Sequence, residues 1–436
     1  MANCEVVCNP DIGRSINSSV TFTPRSVVVD PNCQEVLYLT ADTAGGKLSA
    51  SNRFVSVTSS AEAVDLFTAG AGIIDDVKTY FANYTNGLRR VLNIAWIDQT
   101  KPLVDELNEI IKCNNCWLSF AADASVIDYT DVSGAVAKYA QVSMWAIENE
   151  KMFFALSIDP LDLDSENGGS TTAVLNGIGA HYTTITWTAG QCAYQLDELG
   201  NPVPDPDNAG EYLTETVYKA RHLLYAGFVA GSDLSKRGLD YTLKNKPVGG
   251  AGWVGISVET ISSADVSELT GRMASGVIRD NNNGYANVYI KSDGYPQEAE
   301  GLTVTGKWID SVHKSIYVRR RLRAAAALLM MSKRKITYDR FGQNLIANTI
   351  AAEAGLMQDN RLFTSSPQNY EQLDAYGNPL LRNGAGWALW GMYLSSAEVN
   401  LQEQRITPLW RFCYTDAGAV SFVDLDVCDL YSAGGV

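Results

Sequence analysis

The chain has 436 residues, a formal net charge of −15, 46% apolar residues and 19% charged ones. That balance suits a folded chain with room for two or three domains, or one domain with elaborations, and it lacks the broad cationic surface of a general nucleic-acid binder. The longest apolar run, Ala324 to Met331, falls far short of the ~20 residues of a membrane span, and MANCEVVCNPDIG lacks the basic and apolar regions of a secretory signal. The expectation is a protein made in a cytoplasm, with no membrane and no nucleic-acid partner.

Taken in chain order, residues 1–58 read as a β-rich segment: TFTPRSVVV and EVLYLTA are strand-like, broken by Pro24, Pro31 and Gly45–Gly46. Ser59–Ser60 ahead of Glu62 marks a helix start. From there strand and helix alternate: VLNIAWID, KPLVDELNEIIK, CWLSFAAD, DVSGAVAKYAQVSMWAIENE, KMFFALSI, TTAVLNGIG and YTTITWTA. Such alternation predicts βαβ units in a mainly parallel sheet flanked by helices. The turn-rich Gln195–Tyr212 reads as a surface loop, and VYKARHLLYAGFVAGSD as a helix. Further on, SADVSELTGRMASG predicts a helix introduced by Ser263, and YANVYIKSD and GLTVTGKWI predict strands. Two helices are expected over Ser311–Ser332 and Tyr338–Met357. The end, LWRFCYTDAGAVSFVDLDVCDLYS, is β-like, with a hairpin turn at 416–418. The fold class is therefore α/β, becoming mixed α+β in the second half, with extended β-like N- and C-terminal arms. Four segments are expected: 1–58, an N-terminal arm and β-rich segment; 59–235, an α/β domain; 236–408, a mixed α+β core domain; and 409–436, a C-terminal β arm.

Motifs for chemistry are weak. GAGWVG, Gly250–Gly255, matches the dinucleotide string, but Lys246–Pro247 precedes it and the strand-like ISVE follows, the reverse of the strand–loop–helix context that phosphate binding needs. CNNC brings Cys113 and Cys116 to a spacing at which they can pair. No second pair completes a zinc site, and the motif follows a helix instead of opening one, so two structural cysteines are the better reading. Asp162, Asp164 and Glu166 resemble a calcium loop, yet Asn167 and Ala173 stand where that loop needs glycine and glutamate. Asp98, Asp123 and Asp159 end successive strands, where an α/β enzyme would place its site; capping of the following helices is the stronger expectation. No enzyme, metal or cofactor is expected.

The stretch HKSIYVRRRLRAAAALLMMSKRK, His313 to Lys335, holds eight cations and no acid within an acidic chain. On a helix, Val318, Leu322, Ala325 and Leu329 form one stripe, while Arg319, Arg320 and Arg323 fall largely on another side. It reads either as a solvated basic face or as a docking face for an acidic protein.

The run AGFVAGSDLSKRGLDYTLKNKPVGG, the helix SADVSELTGRMASG, NGYANVYIKSDG and then GLTVTGKWIDSVHKSIYVRRRLRAAAALLMMSKRKITYDRFGQNLIANTIAAEAGLM is similar in order and spacing to phage contractile-tail sheath proteins, above all the compact branch. Gly306–Asp310 and NGYANVYI are its most specific pieces; the α/β first half matches in outline. The resemblance implies a structural virion protein that polymerises as a helix or stacked rings around an inner tube. Its terminal arms would add strands to neighbours, and its lattice would contract mechanically without a cofactor. It implies as partners other copies of the chain, the tail tube protein, and baseplate and tail terminator proteins. It also makes Lys314, Arg319, Arg320, Arg323, Lys333, Arg334 and Lys335 candidates for contact with an acidic tube. Because virion surfaces are oxidising, Cys4, Cys8, Cys33, Cys413 and Cys428 become candidates for disulfides between subunits, whereas Cys192 is expected to be a buried thiol. The alternatives are a baseplate or capsid-associated protein, or an α/β enzyme using the strand-end aspartates.

Overall fold

The structure, a computed structural model, describes residues 34–417 apart from 68–71, 83–90, 165–167, 196–200, 207, 209–210, 237–240, 244–258, 260, 272–282, 293–294, 366–369, 375, 398–399, 402–406 and 409. TFTPRSVVV, GAGWVG, Cys4, Cys8, Cys33 and Cys428 lie outside the described residues.

The first half is built from β1 (Glu35–Thr40), β2 (Phe54–Val57), α1 (Ser60–Leu66), α2 (Gly72–Phe81), β3 (Leu92–Trp96), α3 (Leu103–Cys113), β4 (Trp117–Ala122), α4 (Val132–Glu148), β5 (Met152–Ser157), α5 (Thr171–Gly177) and β6 (Thr183–Trp187). These strands form one sheet in the order β2-β3-β1-β4-β5-β6. All neighbours are parallel except β2, an antiparallel edge on β3. After β1 the chain crosses to β3 over one face, carrying α1 and α2. It then reverses direction along the sheet, and α3 and α4 cover the other face, as right-handed crossovers require. Two apolar clusters follow: Tyr38, Ile94 and Phe154 with α2 on one face, and Leu37, Phe120 and Phe153 with α3 and α4 on the other.

The second half contains β7 (Gln191–Tyr194), β8 (Thr214–Val217), α6 (His222–Ala230), α7 (Ser263–Thr270), β9 (Tyr289–Ser292), β10 (Tyr295–Glu298), α8 (Ile309–Ser332), α9 (Arg340–Asp359), β11 (Leu380–Asn383), β12 (Trp387–Gly391) and β13 (Trp410–Tyr414). The last three strands form an antiparallel sheet beside α9. Ile316 and Tyr317 of α8, Ala347 of α9 and Trp387 of β12 join the same cluster as β1 and α2.

Several expectations change. Strands β1 and β2 belong to the six-stranded sheet, so residues 35–57 are core and not arm, and one apolar cluster crosses the expected limits at 58 and 235. VYKA does not open a helix: Thr214–Val217 pairs with β7 as a hairpin, and α6 starts at His222. The helix SADVSELT is introduced by Ser262, whose hydroxyl and Asp265 form a capping box, and Gly271 at φ +67° ends it. GLTVTGKWI is not a strand but a tight turn. Leu302 pairs with Trp308, Gly306 sits at φ +77°, and a Cβ there would meet the Tyr285 ring at 2.6 Å. Asp416 forms an isolated antiparallel bridge with Phe363, and Gly418 of the hairpin turn expected at 416–418 lies outside the described residues.

Beneath the sheet, the Tyr38 hydroxyl donates to Asp76 at 2.6 Å. Burial, aided by the charges of Asp123 and Asp75, raises the Asp76 carboxyl from 3.8 to about 7 against the effect of that hydrogen bond. The folded state thus keeps a proton that the unfolded chain gives up, so this contribution to stability is present below pH ~4 and is lost as pH rises toward ~7. Asp76→Asn, which can still accept from Tyr38, should gain stability relative to the parent chain by ~2–4 kcal/mol between pH 4 and pH 8 in urea titrations. A pH-independent difference would contradict this.

Candidate interaction surface

The cations of α8 are sorted by the fold. Lys314 is fully buried, its ammonium 3.5 Å from Asp310 and 3.0 Å from Asp416. It is a core ion pair and cannot contact a partner, which corrects its place among the expected tube-contact residues. Arg323 makes a two-pronged contact with Glu150 at 2.6 and 2.7 Å, Arg319 reaches the same carboxylate at 3.4 Å, and Arg320 donates to the Glu150 carbonyl at 3.2 Å. Arg321 pairs with Glu353 of α9 at 2.5 Å. The stretch has no acids in sequence, but the fold supplies them from α4's C-terminal turn, from α9 and from the end of β13.

Glu150 holds a non-glycine φ of +50°, a conformation that costs about 1 kcal/mol or more. Burial pushes its carboxyl up, but the hydrogen bond and charge of Arg323, with the charges of Arg319 and Arg320, outweigh that and leave it below the ordinary value. Sequence reading missed Glu150 because nothing local links ENEK to a helix that follows 170 residues later in the chain.

The remaining cations sit where α8 turns into α9. Lys333, Arg334 and Lys335 are exposed and have no ion pair among the described residues. Beside them stand Leu328, Met331 and Phe341, 59%, 77% and 74% exposed. A basic tip with large apolar side chains left in water is the surface feature that calls for a partner, since exposed apolar groups gathered in one place mark docking sites.

Of the strand-end aspartates, only Asp159 caps a helix, the 3-10 turn Pro160–Leu163; Asp98 and Asp123 brace the turns after their strands, while α4 is capped by Asp131 and α3 has no side-chain cap. Asp98 accepts from the Thr100 amide and hydroxyl at 3.0 and 2.7 Å. Asp123 accepts from the Ser125 and Val126 amides, from the Ser125 hydroxyl and, across the sheet, from Thr40 at 2.5 Å. Asp159 accepts from the amides of Leu161 and Thr171. The end of β1 is where the connections of neighbouring strands leave on opposite faces, the usual ligand position in such sheets. Here it is bridged by Thr40–Asp123 and by the Ser125 hydroxyl, which accepts from Ala41. Asp162 is buried against Ser157 and Thr172, and no metal-binding group of acids, histidines or cysteines occurs among the described residues.

No disulfide links Cys113 to Cys116. Cys413 is exposed on β13. Cys192 is exposed on β7, where a buried thiol was expected, because the β7–β8 hairpin stands apart from the core with its side chains alternating outward.

No protein-family model and no curated protein matches this chain. Among solved structures, a sheath tail protein from Listeria innocua is similar with a TM-score of 0.41 and 7% identity, over 88% of this chain and 96% of that one.

Proposed function

We propose that this chain is the structural subunit of a contractile phage tail sheath, polymerising around an inner tube. The observation that carries the reading is the α8–α9 tip, where Lys333, Arg334 and Lys335 flank exposed Met331 and Phe341. Its chemistry suits an acidic, partly apolar surface, because charge complementarity sets register while apolar contact supplies cohesion. The sequence resemblance supports the same reading through the order of its segments. The consumption of the other α8 cations inside the fold narrows the tube contact to the tip, with Arg319, its side chain 45% exposed, at the margin.

In this reading the termini add strands to neighbouring copies, and the assembled lattice relaxes mechanically from an extended to a contracted form. Baseplate and terminator proteins would bound it at its ends. Cys413, exposed on β13, would join Cys4, Cys8, Cys33 and Cys428 as a crosslinking site between copies once the virion leaves the cell. Particles whose subunits run as monomers on a non-reducing gel after alkylation would sink the crosslink.

Sedimentation velocity tests polymerisation. The protein should shift from a 47.4 kDa species to fast-sedimenting polymer as concentration rises. K333E/R334E/K335E should polymerise as well but lose binding to purified tail tubes. A species that remains at the monomer mass at every concentration, or a triple variant that coats tubes as the parent does, contradicts the proposal.

A further inference from the structure

The first turns of α8 and the strand that ends the described chain bring four reactive groups together. Asp310, Ser311 and Lys314 come from α8, and Asp416, two residues past β13, is set against them by its bridge to Phe363. The Lys314 ammonium lies 3.0 Å from Oδ1 of Asp416 and 3.5 Å from Oδ2 of Asp310, one helical turn earlier. The Ser311 hydroxyl donates to the other oxygen of Asp416, Oδ2, at 2.5 Å. Lys314 and Asp310 are buried and Asp416 is half-buried. Beside them stand the rings of Phe363 and Tyr414, 4.8 Å apart, with Tyr414 hydrogen-bonded to Ser315.

A buried ion pair carries a heavy desolvation cost, and a neutral product formed from the same groups escapes it. An amine held this close to a carboxyl group is near the separation of about 3–3.5 Å from which bond formation starts. The chemistry balances within the four side chains. Lys314 passes one ammonium proton to Oδ1 of Asp416, leaving an amine and a carboxylic acid. The Nζ lone pair attacks Cγ of Asp416, and the carbonyl electrons move onto Oδ2, where the Ser311 hydroxyl stabilises the oxyanion. Asp310 takes a proton from the attacking nitrogen and returns it to the Oδ1 hydroxyl. The Cγ–Oδ1 bond breaks, water leaves, and an amide joins Nζ to Cγ. Asp310 ends as the carboxylate it began as, in the first turn of α8, where the helix dipole favours negative charge.

We propose that Lys314 and Asp416 become joined by an isopeptide bond, with Asp310 as the base and Ser311 as the oxyanion donor. The ion pair between them is the precursor of that bond. The two residues stand 102 positions apart, so the amide closes a long loop and fixes the end of the β13 strand to α8. The inference rests on this geometry and not on the sheath reading. In a sheath the bond would anchor the root of the C-terminal arm covalently, so that load carried by the arm would not have to be borne by the hydrogen bonds of β13 alone.

Mass spectrometry of the full-length protein, denatured and reduced, tests the bond directly. The chain should be lighter than its sequence by one water, and peptide mapping should find the fragments carrying Lys314 and Asp416 joined. Asp310→Asn keeps the shape of the side chain but cannot take the proton, and should slow the linkage by ~100-fold or more, the scale of a lost general base. D310N protein of the same age should therefore keep its full mass, and on a denaturing gel the parent, closed into a lariat, should run ahead of it. Full sequence mass in parent protein that unfolds cooperatively in urea would overturn the proposal, as would a lost water that maps anywhere else. D310N linked as completely as the parent would overturn the role given to Asp310.

Discussion

Glu150→Ala should lower the unfolding free energy by ~3 kcal/mol, because Arg323 would stay largely buried without the carboxylate that neutralises it. Its side chain is 12% exposed, so water cannot replace the lost partner. Arg319, at 45%, is well hydrated and should contribute little to the loss. Two comparisons separate charge from backbone. Glu150→Gly removes the same carboxylate but suits the φ of +50°, and should recover ~1 kcal/mol relative to alanine. Arg323→Ala combined with Glu150→Ala should cost less than the sum of the two single changes. Since Arg323 holds the carboxyl below its ordinary value, the Glu150 contribution is present above the unfolded-state carboxyl pKa and fades as pH falls through the folded one. A loss under ~0.5 kcal/mol, the size of an ordinary surface change, would mean that the α8 arginines do not need this partner.

Trp117→Ala should be costlier still, ~4 kcal/mol, as expected for emptying a large aromatic site in a packed core. The residue opens β4 and is fully buried. Its ring stacks on Trp145 at 6.0 Å and meets the edge of Phe120 at 5.5 Å. The Lys151 ammonium lies 4.0 Å from the ring centroid, and that lysine is itself buried. Losing the ring therefore removes both packing and the aromatic face that helps a buried cation tolerate low dielectric. Trp117→Phe keeps a π-face and should lose ~1–2 kcal/mol, the scale of a conservative core change. Equal losses for alanine and phenylalanine in chemical denaturation would contradict the role given to the ring.

These two sites also show what a sequence reader can and cannot reach. The parallel sheet was legible because strands buried on both faces read as unbroken apolar runs, as MFFALS in β5 does, between amphipathic helices such as LVDELNEIIKC. Of the strand-end aspartates expected to cap the following helices, only Asp159 caps one, the short 3-10 turn Pro160–Leu163; Asp98 and Asp123 brace turns instead, and Asp131 caps α4. GLTVTGKWI misled because its apolar alternation mimics a strand, while Gly306 and the Leu302–Trp308 pairing fold it into a turn. The basic helix misled differently. Local composition gives charge, but neutralisation is decided in three dimensions: Glu150, Glu353 and Asp416 lie far along the chain from the arginines and the lysine they partner. What remained outside that neutralisation, the α8–α9 tip, could be located only after the pairs were known.

Negative-stain electron microscopy of the purified protein, with and without reductant, tests the sheath proposal most directly. It should show hollow sleeves of uniform width, and reduction should change their length or integrity if disulfides join neighbouring copies. Dispersed globular particles in both conditions, even at high concentration, would contradict a polymer-forming sheath and favour a baseplate or capsid-associated role.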